Sequence, residues 1–83
     1  MTAEARKKLR DFICIELLRN PDYPLEDDEA LITGGLLDSM SIVHLGVFVE
    51  DTFNVYIPDT DLTVENMDTL GQIVARVLQE MQS

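Results

Sequence analysis

Eighty-three residues, 46% of them hydrophobic, suffice for one small domain with a real core, but not for a deep catalytic cleft. The formal net charge is −10 and Arg76 is the one basic residue beyond Arg19, so the surface repels nucleic acid and anionic lipid and favours basic proteins. No apolar run reaches the roughly 18 residues of a membrane span, no secretory leader is recognisable, and one cysteine cannot close an internal disulfide, which together fit a reducing cytoplasm.

Ala5, Leu9, Phe12, Ile13, Glu16 and Leu17 follow three-and-four spacing, which predicts a first helix over about 3–19. Asn20-Pro21 ends it. Residues 20–37, rich in Pro, Asp and Glu, read as a long loop with one helical turn around 26–31. Loops of this length are uncommon in compact domains and often functional. Gly34 and Gly35 then precede "LLDSM", where Asp38 is a natural N-cap for a second helix over about 38–53. Ile42, Leu45, Val49 and Phe53 recur along it as core positions, while Met40, Val43 and Val47 recur on another face. In "NVYIPD", Val55, Tyr56 and Ile57 favour a strand locally, but the chain has no partner strand for them, so the segment reads as a connection. "DTDL" predicts a short third helix over about 59–63. Asp68 is the expected cap of a fourth helix over about 69–81, with Leu70, Ile73, Val74, Val77, Leu78 and Met81 as its apolar stripe. The result is an all-α antiparallel four-helix bundle, with three long helices, a short third one and a long first loop.

Ser39 has three competing uses. It is a good first-turn residue behind an aspartate cap. It is also a conceivable hydrolytic nucleophile, with His44 as base and Asp38 as orienter. Five positions along a helix rotate His44 by about 140° from Ser39, however, and the G-x-S-x-G elbow is absent. The third use follows from the helix terminus, whose first-turn amides carry partial positive charge and suit a phosphodiester on an exposed Ser39 hydroxyl. Cys14 reads as an inert core thiol. Asp59, Asp61 and Glu65 lie close together in sequence but lack the glycine and terminal glutamate of a calcium loop, so no dedicated metal site is read there. His44 is either an inert exposed residue or one that alters partner choice. Gly46 within a helix costs roughly 1 kcal/mol against alanine. It either admits a neighbouring helix or leaves a space, which Phe48 is a candidate to fill.

The stretch "LLDSMSIVHLGVFVEDTFNVYIPDTDLTVENMDTLGQIVARVL" resembles the acyl carrier and peptidyl carrier family. The matching features are Asp38-Ser39-Met40, an apolar helix closing in Glu50-Asp51-Thr52-Phe53, then Ile57-Pro58-Asp59 and a final amphipathic helix, over about residues 31–79. "GLLDSM", with Ser41 and His44 where fatty-acid carriers commonly have acids, is more similar to D-alanyl and other stand-alone aminoacyl carriers. The resemblance implies a non-catalytic carrier with 4′-phosphopantetheine esterified to Ser39 beside Asp38. The arm's thiol would hold an acyl or aminoacyl group as a thioester for the enzymes of a dedicated pathway. It further implies a monomer whose partners are a phosphopantetheinyl transferase, a loading ligase or synthase, and downstream transferases. In the family's docking patch the corresponding positions are Met40, Val43, His44, Val47, Glu50 and Asp51. Two alternatives remain: a general carrier of fatty-acid or polyketide synthesis, and an acidic interaction module with no prosthetic group, phosphorylated at Ser39.

Overall fold

Helix α1 (Thr2–Phe12) runs without a break into one wide π-helical turn, Ile13–Leu17, in the computed structural model, which describes residues 2–81. Ala5, Leu9, Ile13 and Cys14 form its buried stripe. Beyond the wide turn the Leu18 amide donates to the Ile13 carbonyl and the Asn20 amide to the Cys14 carbonyl, both at 2.8 Å. Arg19, with φ of 55°, turns the chain away. The segment expected as one uniform helix therefore has two geometries and stops at Leu17.

The long connection contains turns at 27–28 and 32–35, and no helical turn forms at 26–31. Its shape is set by what it is fastened to. Leu25, Leu31 and Leu37 are buried in the common core. The Arg10 guanidinium donates to the Tyr23 and Leu25 carbonyls at 3.1 and 3.2 Å, and Arg6 pairs with Asp27 at 2.6 Å. Tyr23 donates its hydroxyl to Glu29. Two glycines close the segment for steric reasons. A Cβ on Gly34 would lie 2.2 Å from the Ala30 carbonyl oxygen, and Gly35 has φ of 84°, where side chains are disfavoured.

Helix α2 (Ser39–Phe53) buries Ile42, Leu45 and Val49, with Phe53 half-buried at its end. It stops at Asn54, whose left-handed backbone (φ 57°) lets its amide donate to the Glu50 carbonyl at 3.0 Å. Residues 54–58 are a connection without regular secondary structure, and among the described residues there is no strand.

The short third helix differs from the expected 59–63. A 3-10 turn, Asp59–Asp61, comes first, and helix α3 proper is Val64–Met67. Thr63 is extended between them (φ −125°, ψ 164°), and the helical turn forms where it carries Met67 into the core at 1% exposure.

Helix α4 (Leu70–Met81) also starts differently from the expectation, because Asp68 is not its cap. Thr69 Oγ1 accepts from the Gln72 amide at 3.1 Å, while Gln72 Oε1 accepts from the amides of Asp68 and Thr69 at 3.0 and 3.1 Å. This is a reciprocal Thr-x-x-Gln capping box. The Asp68 carboxylate is turned instead to the long loop, accepting from the Ile32 and Thr33 amides at 2.8 and 2.9 Å and from the Thr33 hydroxyl at 2.8 Å. Leu70, Ile73, Val74 and Val77 are buried and Leu78 is half-buried, but Met81 is exposed rather than part of the packed stripe.

The chain is thus an all-α four-helix bundle of the acyl carrier type. Its core lies between α1, α2 and α4 and is completed by Leu25, Leu31, Leu37, Ile57 and Met67. Every fully buried side chain among the described residues is apolar.

Candidate functional site

The end of the tethered loop delivers Leu37 to the core and leaves Asp38 and Ser39 outside it. Asp38 is extended (φ −108°, ψ −176°) and its carboxylate accepts from the Ser41 amide at 2.9 Å, while its carbonyl takes the first intrahelical bond from Ile42 at 3.2 Å. This is a complete N-cap. The Ser41 amide, then its hydroxyl, hold the Asp38 carboxyl below the usual carboxylate range, more weakly aided by its own amide and that of Met40 and opposed by desolvation. Asp38 is therefore an anion committed to the backbone.

Ser39 is the first residue of α2 and is exposed. Its hydroxyl sits at the electropositive end of a 15-residue helix, the environment that favours an attached phosphate. No hydrogen bond joins Ser39 to His44 among the described residues, so the two do not form a nucleophile–base pair. His44 is exposed on the next turn and beyond.

Met40, Val43 and Val47 are 62%, 47% and 57% exposed, which separates them from the Ile42, Leu45 and Val49 stripe of the same helix. Glu50 and Asp51 are exposed at its far end. The six residues singled out from the sequence beyond Asp38 and Ser39 thus share the outward side of α2. Exposed aliphatic side chains at three-and-four spacing, with two acids beyond them, form a patch without an internal packing partner.

Two recesses flank this ridge. On one side Gly46 faces Leu62, and a Cβ there would lie 3.1 Å from Leu62 Cδ1. The space beside Gly46 is filled by Leu62, not by Phe48, leaving a recess of about 90 Å³ also bordered by Val43, Val47 and Tyr56. Phe48 points the other way, stacked on Phe12 with ring centroids 4.1 Å apart and edge-on to Phe53 at 6.2 Å. On that second side a groove of about 390 Å³ opens between the wide turn of α1 and the flank of α2. Half-buried Phe12, Leu17 and Phe48 line it together with exposed Glu16, His44, Val47 and Asp51.

Sequence reasoning did not single out this groove, because Glu16 and Leu17 read as members of an ordinary stripe. The available signal was an acid at Glu16 four residues after Phe12 within an apolar run. Cys14 is 1% exposed, and burial pushes its thiol up, so it is no nucleophile. Asp61 is bonded to Arg76 at 2.8 Å, and the Asp59 side chain lies outside the described residues.

No protein-family model matches the chain. Curated relatives do. A D-alanyl carrier protein of Streptococcus suis (strain 05ZYH33) is 36% identical over 67 residues, covering 81% of this chain and 85% of the relative. That of Lactococcus lactis subsp. cremoris (strain MG1363) is 34% identical over 70 residues, covering 83% and 89%. A third, from Streptococcus suis (strain 98HAH33), is 37% identical over 54 residues, covering 65% and 68%. Similarity of this degree, over most of both chains and on an acyl carrier bundle, is that of a shared family. The chain is a carrier protein and belongs to the D-alanyl carrier protein family.

Proposed function

We propose that Ser39 carries 4′-phosphopantetheine and that the loaded cargo is a small aminoacyl group, D-alanine, delivered within a dedicated pathway. The observation that carries this reading is the exposed Ser39 hydroxyl on the first turn of a capped helix. The residues fit the group. Ser39 would hold it through its ester oxygen, the helix terminus favours the phosphate's charge, and no side chain covers the position. When bound, the group supplies a terminal thiol on a long flexible arm, able to hold an acyl or aminoacyl group as a thioester.

The rest of the work falls to the chain's own residues. Asp38 fixes the start of α2 through the Ser41 amide and so holds Ser39 outward. Met40, Val43 and Val47, with His44, Glu50 and Asp51 around them, form the surface by which a phosphopantetheinyl transferase, a loading ligase and a downstream transferase recognise the carrier. Small cargo is supported by Leu62, which occupies the gap beside Gly46 and leaves a recess of only about 90 Å³. A cavity that takes a benzene ring measures about 150 Å³, so no long acyl chain is sheltered there. D-alanine is the cargo named by the curated relatives.

Incubation with coenzyme A and a phosphopantetheinyl transferase, followed by intact mass, tests the reading. The expected result is a gain of one phosphopantetheinyl group that Ser39→Ala abolishes, followed by retention of D-alanine, rather than L-alanine, once an adenylating ligase is added. No gain, or a gain that survives Ser39→Ala, overturns it.

A further inference from the structure

We propose that the groove between the wide turn of α1 and the flank of α2 is a second docking site, occupied by a segment of the loading ligase that presents an aliphatic or aromatic side chain beside a lysine or arginine. The inference rests on the carrier reading of Ser39 and adds a contact on α1 that the outward patch of α2 does not include. The groove holds about 390 Å³, enough for a large side chain, and Phe12, Leu17, Val47 and Phe48 give it an apolar lining. Glu16 and Asp51 stand at it from the two helices, and neither has an ion-pair partner among the described residues.

That last point decides the chemistry of the occupant. The basic residues of α1 are already engaged: Arg6 with Asp27, Lys7 with Asp11, Lys8 with Glu4, and Arg10 with two loop carbonyls. Among the described residues neither Arg19, three residues beyond Glu16, nor His44 at the groove forms an ion pair with either acid, so both charges are open to a cation from outside that is attached to something covering apolar surface. The wide turn is the last of the helix and carries Glu16 and Leu17 at this edge. Along α2, His44 and Asp51 lie about 8 and about 18 Å from Ser39 at 1.5 Å per residue. An enzyme whose active site receives the tip of the arm spans that length more naturally than one that works on Ser39 itself.

The test uses the full chain bearing its arm and measures the dissociation constant for the adenylating ligase. Glu16→Lys reverses one groove charge at an exposed position outside the α2 patch, and Glu26→Lys makes the same change on the exposed loop as a reference. At low salt, Glu16→Lys is expected to weaken ligase binding about tenfold and Glu26→Lys about twofold or less, with the difference shrinking as added salt screens the groove pair. Circular dichroism checks that both variants keep the helical fold. Equal losses in the two variants, or none in either, overturn the groove while leaving the modification of Ser39 intact. A parent chain that gains no mass with coenzyme A overturns the Ser39 reading, and the ligase dock with it. Loading D-alanine in the absence of ligase and finding the Val47 and Phe48 amide resonances displaced assigns the groove to the cargo's own ammonium, which also overturns the proposal.

Discussion

Residues 20–37 have almost no regular structure, yet their backbone is bonded to Arg10, Asp68 and Gly71 and three of their leucines lie in the core. Helix α2 is regular, yet its outer side leaves Met40, Val43 and Val47 in solvent, with Glu50 and Asp51 exposed at its far end. Irregular backbone is therefore no guide to which part of this molecule meets partners. The loop is internal architecture drawn as a loop. The helix turns an apolar outer face to solvent, the face proposed above as the docking surface. Damage to the loop is expected to appear as lost stability, and damage to the front of α2 as lost binding.

Leu31→Ala is the largest test of the first half. Leu31 is fully buried, and removing it costs about 2–5 kcal/mol, a large part of the stability of a small domain, as read by urea unfolding. A loss near zero would mean that the loop is not anchored as described. Val47→Asp tests the second half. It is expected to weaken ligase binding about tenfold or more while leaving the melting temperature within about 2 °C of the parent. A variant that unfolds would move Val47 into the core and end the comparison.

Asp68→Asn sharpens the loop side through pH. Hydrogen bonds from the Thr33 amide and hydroxyl, and from the Ile32 amide, hold the Asp68 carboxyl below its usual range against the opposing effect of burial. A depressed carboxyl contributes stability that is complete above its unfolded value, about 3.9, and is lost as pH falls through the lower folded value. The variant is therefore less stable than the parent at pH 7, and urea midpoints of the two are expected to converge below about pH 4. A constant gap would remove the carboxylate's charge from the explanation. The smallest effect belongs to Gly46→Ala. Helix propensity favours alanine by up to about 1 kcal/mol, and the 3.1 Å approach to the flexible end of Leu62 takes back part of it, for a net gain of about 0.5 kcal/mol. A net loss would show that Leu62 cannot yield.

Much of the bundle was legible because its helices bury one face each. Ala5, Leu9 and Ile13 along α1 and its wide turn, Ile42, Leu45 and Val49 on α2, and Leu70, Ile73, Val74 and Val77 on α4 keep three-and-four spacing, and each is buried. Ser39 stood out because a cap residue and the start of an apolar helix are both local signals. What failed to show depends on residues far apart in sequence. Asp68 resembles a helix cap until Thr33, 35 residues earlier, claims its carboxylate. The cap itself, Thr69 with Gln72, carries a recognisable Thr-x-x-Gln spacing that the neighbouring aspartate obscured. The third helix starts at Val64 because Met67 must reach the core, a tertiary demand that "DTDL" does not contain. Nor does helical spacing reveal the groove beside Phe48, since it exists only where α1 widens against α2.

The Leu31 amide donates to the Asp68 carbonyl at 2.6 Å, and the Gly71 amide to the Asp27 carbonyl at 2.9 Å. These bonds join the long loop to the junction between α3 and α4, so neither can open to solvent without the other. Deuterium exchange at Leu31 and Gly71 is then a single event, governed by one opening equilibrium shared by segments 40 residues apart. A protease meeting this irregular stretch finds no slack chain to cut until that shared opening occurs.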